Sequence, residues 1–255
     1  MKTKTNRVLA WKPQLPDFRD FAPIDFPVTS LPLIDLRPQF PPVYDQQDLG
    51  SCTGNGNAAI YEFTKMKQGK DYFQPSRLGI YYDERVLEDT VNDDAGAQIR
   101  DGIKVMKNSG VYPESMWPYD TTKFAVKPPQ ECYDTALKNE IESYSPVTNT
   151  LEQLKGCLAQ GYPIVFGVTL YDSFESSDVN YTGNVPMPQP TESVIGGHCM
   201  VLVGFDDFKQ IGPLVGVFIV RNSWGDNWGD KGYCYIPYNY ILTLGSDFWM
   251  IKLVE

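Results

Sequence analysis

Histidine is almost absent from this chain. Its 255 residues include a single histidine, His198, at the start of the apolar stretch GGHCMVLVGF, residues 196–205. Histidine is the side chain that most often serves as a general base near neutral pH. The scarcity excludes histidine-rich metal sites and leaves one candidate base. A lone histidine at a strand start is more often a packing or surface residue, so its context must decide its role.

Cysteine is also sparse, and its pattern excludes two classes of protein. The five cysteines are an odd number and form no CxxC pair, so a zinc site or a dense disulfide framework is not expected. We expect reduced thiols, and therefore a cytoplasmic protein or one exported without a cleavable signal peptide, because no apolar signal segment follows the first residues. The cysteines are Cys52, Cys132, Cys157, Cys199 and Cys234.

Positive charge is in deficit. Lysine and arginine total 22 against 32 aspartate and glutamate residues, which gives a formal net charge of −10. Nucleic acids and anionic membranes both require a basic footprint, so neither is an expected partner. No apolar run is long enough to span a bilayer. Hydrophobic residues make up 42% of the chain, which predicts a folded core. We expect neither a metal nor a cofactor.

Segments with helical periodicity come first along the chain and strand-like segments follow, which predicts an α+β fold. We predict an extended, proline-rich arm over residues 1–30, a helical lobe over 31–145 and a β lobe over 146–255, with 31–255 forming one domain. The segment 172–197, between the first two predicted strands, is polar and predicts a long loop beside His198. Helices are predicted at 52–69, 76–91, 97–108 and 150–160, the last with Thr150 and Gln153 spaced as a capping box. Strands are predicted at 162–171, 197–208, 216–224, 232–241 and 247–254.

Cys52 is the candidate nucleophile. It lies where a loop passes into the first predicted helix, and the unpaired N–H groups of a helix N-terminus stabilise a thiolate. The ordinary fate of a free cysteine is burial as an inert side chain, and that interpretation is kept for Cys132, Cys157 and Cys234. Cys199 adjoins His198, but strand alternation directs adjacent side chains to opposite faces.

A third stretch, VRNSWGDNWGDKGYCYI at residues 220–236, contains Asn222 after an apolar strand and Trp224 beside a Gly/Asp/Asn turn. Taken alone it predicts a hairpin with an aromatic cover. Together with PVYDQQDLGSCT, residues 42–53, and GGHCMVLVGF, it resembles the nucleophile, base and orienting segments of the papain-like cysteine peptidases. Weaker matches at residues 31–37 and 94–119 extend the resemblance over residues 31–255, nearest to a bacterial, xylellain-like branch without a long propeptide.

The resemblance implies a two-lobed fold, with a helical left lobe, an antiparallel β-barrel right lobe and the active-site cleft between them. It implies that Cys52 is the nucleophile, that His198 is its base and that Asn222 orients the imidazole. Trp224 would shield the His198–Asn222 bond from water. Gln46, six residues before Cys52, matches the family's oxyanion donor, and Gln47 is the competing assignment.

Substrate-binding positions follow from the same resemblance. Gly96 matches a glycine whose backbone pairs with an extended substrate, and Gly197, with Gly196, would widen a specificity pocket beside His198. The chain departs from the family at Thr53, which stands in place of an aromatic residue, and at Leu49, which stands in place of a disulfide cysteine.

Three functions therefore remain open. The first is a monomeric cysteine endopeptidase that hydrolyses extended protein or peptide substrates through a thioester acyl-enzyme, with the N-terminal arm occupying or bordering the cleft. The second is an acyl transferase or amidase with the same triad. The third is a catalytically silent binding protein on the same fold.

Overall fold

The computed structural model describes residues 7–15, 17, 20 and 22–254 of the chain. Helices dominate its first half and strands its second half, so the predicted α+β class is confirmed. No helix in these ranges is both long and apolar enough to cross a membrane. The helices are α1 (Cys52–Lys67), α2 (Arg77–Leu87), α3 (Ile99–Asn108), α4 (Gln130–Ala136), α5 (Leu151–Ala159), α6 (Ser177–Thr182) and α7 (Tyr238–Leu244). The strands are β1 (Leu33–Asp35), β2 (Ile141–Pro146), β3 (Ile164–Tyr171), β4 (Val194–Ile211), β5 (Leu214–Arg221), β6 (Tyr233–Pro237) and β7 (Gly245–Val254).

The strands form one antiparallel sheet in the order β2-β7-β3-β4-β5-β6, with β1 added along β4. The expected closed barrel is not formed by the described residues, because no pairing joins the outer strands β2 and β6. Each of these strands ends at a proline, Pro146 or Pro237, which has no N–H to extend a ladder. The sheet therefore has two open edges, at β2 and β6, where a closed barrel was expected.

Two glycines in the first turns of α1 allow close packing. An ideal Cβ at Gly54 would lie 2.7 Å from the Arg77 carbonyl oxygen, and one at Gly56 would lie 2.9 Å from Cys199 Sγ. A glycine inside a helix costs about 1 kcal/mol relative to alanine. Here it permits α1 to approach both α2 and β4, which fixes the start of α1 against the sheet.

Helix α5 begins as predicted, but its capping box is only half formed. Thr150 Oγ1 accepts a hydrogen bond from the Gln153 N–H at 3.3 Å. The Gln153 side chain does not return to the cap, since its Oε1 accepts from the Phe26 N–H at 2.8 Å and its Nε2 donates to the Phe26 carbonyl at 3.2 Å. The same glutamine therefore attaches the extended N-terminal segment to the sheet side of the molecule.

The other predicted helices and strands are observed with ends shifted by a few residues, apart from one segment. The strand predicted over 232–241 ends at Pro237, and α7 follows directly. The predicted loop over 172–197 contains a short helical turn and α6, which ends at Gly183 with a left-handed φ of 72°. Strand β1, inside the predicted helical lobe, pairs with β4. The predicted boundaries at 30/31 and 145/146 stay predictions.

We expect the stability of the sheet to depend on Phe205 far more than on Phe208, although both lie on β4. Phe205 is fully buried, whereas Phe208 is 74% exposed. Phe205→Ala should lower the free energy of unfolding by about 3–5 kcal/mol, because a buried aromatic ring is lost and a cavity remains. Phe208→Ala should change it by less than about 0.5 kcal/mol. Denaturant unfolding followed by fluorescence would measure both, and equal effects would contradict this account of the core.

Candidate active site

Cys52 is the first residue of α1 and is completely buried. Burial raises the pKa of its thiol to about 11, and contacts with the backbone N–H groups of Cys199 and Ala10 act in the opposite direction. The thiol thus lies against the residue that follows His198 on β4 and against the N-terminal arm. The helix N-terminus predicted from sequence is present, but desolvation outweighs its effect on the thiol.

His198 lies on β4 opposite Val168 of β3 and is also completely buried. Its Nε2 is 2.8 Å from Asn222 Oδ1, and its Nδ1 has no hydrogen-bond partner among the described residues. Burial lowers the pKa of His198 to about 4, although the Asn222 bond opposes this. Since an amide oxygen can only accept, Nε2 carries the proton of the neutral ring and Nδ1 presents its lone pair.

Aromatic rings cover the His198–Asn222 bond. The Trp224 ring centroid is 5.2 Å from that of His198, and Phe174 and Trp228 pack edge-on against Trp224 at 5.4 and 5.2 Å. Asn222 Oδ1 also accepts from the Ser223 N–H at 2.8 Å. The amide is therefore held in one orientation under a layer of rings, and the predicted neighbours Asn222 and Trp224 are brought together with His198.

Gln46 is fully buried, and its amide is held at both ends. Ser223 Oγ donates to Gln46 Oε1 at 2.6 Å, while Gln46 Nε2 donates to the Leu49 carbonyl at 2.9 Å and to the Val8 carbonyl at 3.3 Å. The competing residue, Gln47, is exposed and has a left-handed φ of 56°. This geometry favours Gln46 as the amide donor near Cys52.

Residues of the N-terminal arm lie directly over the predicted substrate-binding glycines. The Trp11 N–H donates to the Gly197 carbonyl at 3.1 Å, and the Lys12 N–H donates to the Ala97 carbonyl at 3.0 Å. At Gly96, where φ is +71°, an ideal Cβ would be 1.6 Å from the Ala10 carbonyl oxygen. Gly96 itself donates its N–H to Tyr81 Oη at 3.1 Å, so the backbone pairing with the arm is made by Ala97.

Charged groups hold the two ends of this arm segment. The Arg7 guanidinium pairs with the Asp45 carboxylate and donates to the Trp224 carbonyl at 3.3 Å. Lys12 Nζ pairs with Glu88 at 2.7 Å. Residues 7–12 therefore extend from the Trp224 side of Cys52 to the α2 side. The backbone of this segment passes between these two sides.

Glu84 was missed by sequence reasoning. It is fully buried on α2, where it accepts from Thr53 Oγ1 at 2.6 Å and from Asn57 Nδ2 at 3.0 Å. Burial raises its pKa to about 8 despite these bonds. The substitution of Thr53 for the family's aromatic residue was the only signal available, since it places a hydroxyl donor beside Cys52 that requires an acceptor.

A buried thiol at a helix N-terminus, an imidazole oriented by an amide and a second amide nearby are the groups of a cysteine-type peptidase, a hydrolase. Residues 33–245 match the family described as papain family cysteine protease. The chain belongs to this family, as the three sequence stretches indicated.

The chain is similar to proteins from a bacterium, a virus and a plant. Xylellain, a cysteine protease from Xylella fastidiosa, shares 38% identity with a TM-score of 0.87, and the match covers 100% of this chain and 99% of that one. An uncharacterized peptidase C1-like protein of Acanthamoeba polyphaga mimivirus is 44% identical over 238 residues, 87% of this chain and 75% of its own length. Bromelain from Ananas comosus, in complex with the E64 inhibitor, shares the fold at 19% identity and a TM-score of 0.64, over 88% of this chain and 99% of its own.

Glu84 should make the stability of the protein depend on pH between about 4.5 and 8. Its pKa is higher in the folded than in the unfolded chain, so its contribution is fully present below its ordinary pKa and is lost as pH rises to about 8. Because one pKa unit corresponds to about 1.4 kcal/mol, we expect Glu84→Gln to gain on the order of 2–4 kcal/mol relative to wild type between pH 5 and pH 8.

Denaturant unfolding at several pH values would test this expectation. Glu131→Gln, at an exposed position of α4, is the matched control and should follow the wild-type pH profile. Parallel profiles for Glu84→Gln and wild type would show that Glu84 is not neutral in the folded protein at low pH.

Proposed function

We propose that this papain-family peptidase is an endopeptidase that uses Cys52, His198 and Asn222 as a catalytic triad. The orientation of the imidazole carries the proposal: Asn222 occupies Nε2 and leaves Nδ1 buried, unprotonated and without a partner among the described residues. A base in this state can accept the proton of a thiol at the start of α1. An amide that only orients a ring has no evident use in a protein that merely binds.

The reaction then follows from these groups. His198 Nδ1 takes the Cys52 proton, and the thiolate attacks the carbonyl carbon of an extended peptide. The Cys52 N–H and Gln46 Nε2 donate hydrogen bonds to the oxygen as it becomes negatively charged. The imidazolium returns its proton to the leaving amine, and water hydrolyses the thioester with His198 again acting as base. Trp224 keeps water from the His198–Asn222 bond.

We further propose that residues 7–12 occupy the substrate cleft and hold the enzyme inactive. The Val8 carbonyl accepts from Gln46 Nε2, the donor assigned to the oxyanion, and Ala10 lies against the Cys52 thiol. By excluding water, the arm favours the neutral thiol and the neutral imidazole over the ion pair that attacks a substrate. Release of the arm would reverse both pKa shifts and expose the nucleophile.

Trp11→Ala in the full chain should weaken docking of the arm and activate Cys52. Because the indole is almost completely buried, its loss should raise the rate of Cys52 alkylation by iodoacetamide at pH 6 at least about tenfold. Mass spectrometry of the modified peptide would measure it. Leu15→Ala, at a 79% exposed position of the same arm, is the control and should react at the wild-type rate. Equal rates for both variants would refute inhibition by the arm.

The triad can be tested in the Trp11→Ala chain, where the cleft is expected to open. Cys52→Ala and His198→Ala should each lower kcat/KM for peptide hydrolysis by about 10³-fold or more, because neither nucleophile nor base has a substitute. Cys132→Ala, a buried thiol outside the site, should retain activity. Near wild-type hydrolysis by His198→Ala would contradict the proposal, since the chain has one histidine.

Product analysis of the same reactions distinguishes the other functions. An acyl transferase or amidase with this triad would pass the acyl group to an added amine in preference to water, and a silent binding protein would leave Cys52 unreactive. We keep a peptidase that acts as a monomer, in a reducing compartment or after export without a cleavable signal, as the proposal. A bacterial origin also stays a prediction, since the relatives include a viral protein.

A further inference from the structure

We propose that Arg77 is a positioning residue for oxyanion binding, which holds the Gln46 side chain and the Cys52 N–H in a fixed relation to each other. This inference rests on the proposed peptidase function and deepens it, since it assigns a role to a buried charge outside the triad. None of the hydrogen bonds that Arg77 makes to the described residues goes to Cys52 or His198, so it acts on the reaction through other groups.

Arg77 stands where local preferences disfavour a cation. It is the first residue of α2 and is buried, and a helix N-terminus already carries a partial positive charge. Burial lowers the pKa of its guanidinium, but the hydrogen bond and the charge of Glu114 outweigh this effect and leave the pKa above its usual value. Departures from local preference of this kind are expected mainly at functional sites.

The guanidinium of Arg77 makes contacts in three directions. Its Nε and Nη2 each donate to the Glu114 carboxylate at 2.8 Å. Its Nη1 donates to the Asp45 carbonyl at 3.1 Å and to Asn55 Oδ1 at 3.0 Å, and its Cζ lies 4.0 Å from the Tyr119 ring centroid. Because a guanidinium is rigid and planar, these bonds fix the Asp45 carbonyl and the Asn55 amide relative to each other.

The contact at Asp45 holds the Gln46 end of the site. The peptide group between Asp45 and Gln46 is bonded at its carbonyl by Arg77, and its N–H donates to the Ser223 carbonyl at 2.8 Å. The Gln46 carbonyl accepts from Tyr119 Oη at 2.9 Å, and the Tyr119 ring is the one that the guanidinium covers. Both peptide groups that flank the Gln46 side chain are therefore held in place, and Arg77 contributes to each.

The contact at Asn55 holds the Cys52 end. Asn55 Nδ2 donates to the Ser51 carbonyl at 2.9 Å and to Ser51 Oγ at 3.1 Å. The Ser51 carbonyl and the Cys52 N–H belong to one planar peptide group, so this bond fixes the direction in which the N–H points. Ser51 Oγ is also 2.5 Å from Tyr119 Oη. Through Asn55 and Tyr119, Arg77 therefore reaches the second oxyanion donor as well.

The two donors help the reaction only when both lie about 2.7–3.1 Å from the oxygen in the transition state. Loss of Arg77 leaves the Asp45 carbonyl and Asn55 Oδ1 without their donor, and the segment 46–52 that carries both oxyanion groups can relax. Because these groups act on charge that develops in the transition state, kcat should fall while KM changes little. Alkylation of Cys52 by iodoacetamide develops no such charge, since the new S–C bond forms as iodide leaves.

The test adds Arg77→Gln to the full-length Trp11→Ala chain, which serves as the parent. We expect kcat for a fluorogenic peptide amide to fall about tenfold or more, which is part of the roughly 10²–10³-fold cost of removing a whole oxyanion donor. KM should stay within about twofold of the parent value. The rate of Cys52 alkylation at pH 6, followed by mass spectrometry, should equal that of the parent. A parallel fall in kcat and in alkylation, or an unchanged kcat, would overturn the assignment.

Two further variants separate geometry from charge. Arg77→Lys should have a kcat between those of the parent and Arg77→Gln, because an ammonium lacks the planar fork that bonds several partners at once. Full activity in the lysine variant would also overturn the assignment, and this variant serves as the test if Arg77→Gln does not fold. Arg37→Gln is the matched control: Arg37 follows β1, pairs with Asp35 and Asp230, and should keep the parent kcat when replaced.

A double-mutant cycle with Gln46→Ala tests the route of the effect. In the Gln46→Ala chain, Arg77→Gln should cost at least about threefold less in kcat than it does in the parent, because one of the groups that it positions is already absent. Fully additive losses would overturn the positioning role and leave the peptidase proposal standing. Hydrolysis that survives Cys52→Ala would instead overturn the peptidase proposal.

Discussion

Exclusion of water from Cys52 and His198 is the constraint on which the rest of the site depends. Both side chains are completely buried, and burial, only partly opposed by hydrogen bonds, raises the pKa of the thiol to about 11 and lowers that of the imidazole to about 4. A proton transfer between them would create two charges without solvent, which is costly unless fixed dipoles replace the water. The backbone N–H groups near Cys52 and the Asn222 amide supply part of that replacement. In the proposed mechanism, opening the cleft to a substrate supplies the rest.

The architecture holds the two reacting groups on separate rigid supports. His198 lies within an eighteen-residue strand paired on both sides, whereas Cys52 begins a helix whose first turns contact α2 through Gly54 and the buried Glu84 network. The N-terminal arm joins the sheet to the helical half of the molecule, because its backbone bonds to Gly197 on β4 and to Ala97 before α3. Glycines at the contact points let a backbone approach closely, so the same positions suit an arm or an extended substrate.

Local patterns predicted the parts of this site that depend on local chemistry. The start of α1 at Cys52, the strand that holds His198 and the cap at Thr150 follow from turn residues and periodicity. The open sheet and α7 could not be predicted. A proline such as Pro237 can end a strand or precede a helix, and the choice depends on neighbouring strands that the sequence does not identify. Glu84 and the path of Trp11 depend on contacts between residues far apart in sequence, for which a single sequence carries little local signal beyond the Thr53 hydroxyl.

The strength of arm docking has a physical limit set by its covalent attachment. A tethered segment competes at an effective concentration in the millimolar range, so modest affinity is sufficient to fill the cleft. The ion pairs at its ends, Arg7–Asp45 and Lys12–Glu88, are partly exposed and contribute little in salt. Most of the holding energy must then come from the buried apolar side chains of the arm, Val8, Leu9 and Trp11. A substrate must displace these same side chains before it reaches Cys52, so their contacts set how readily the cleft opens under the proposed mechanism.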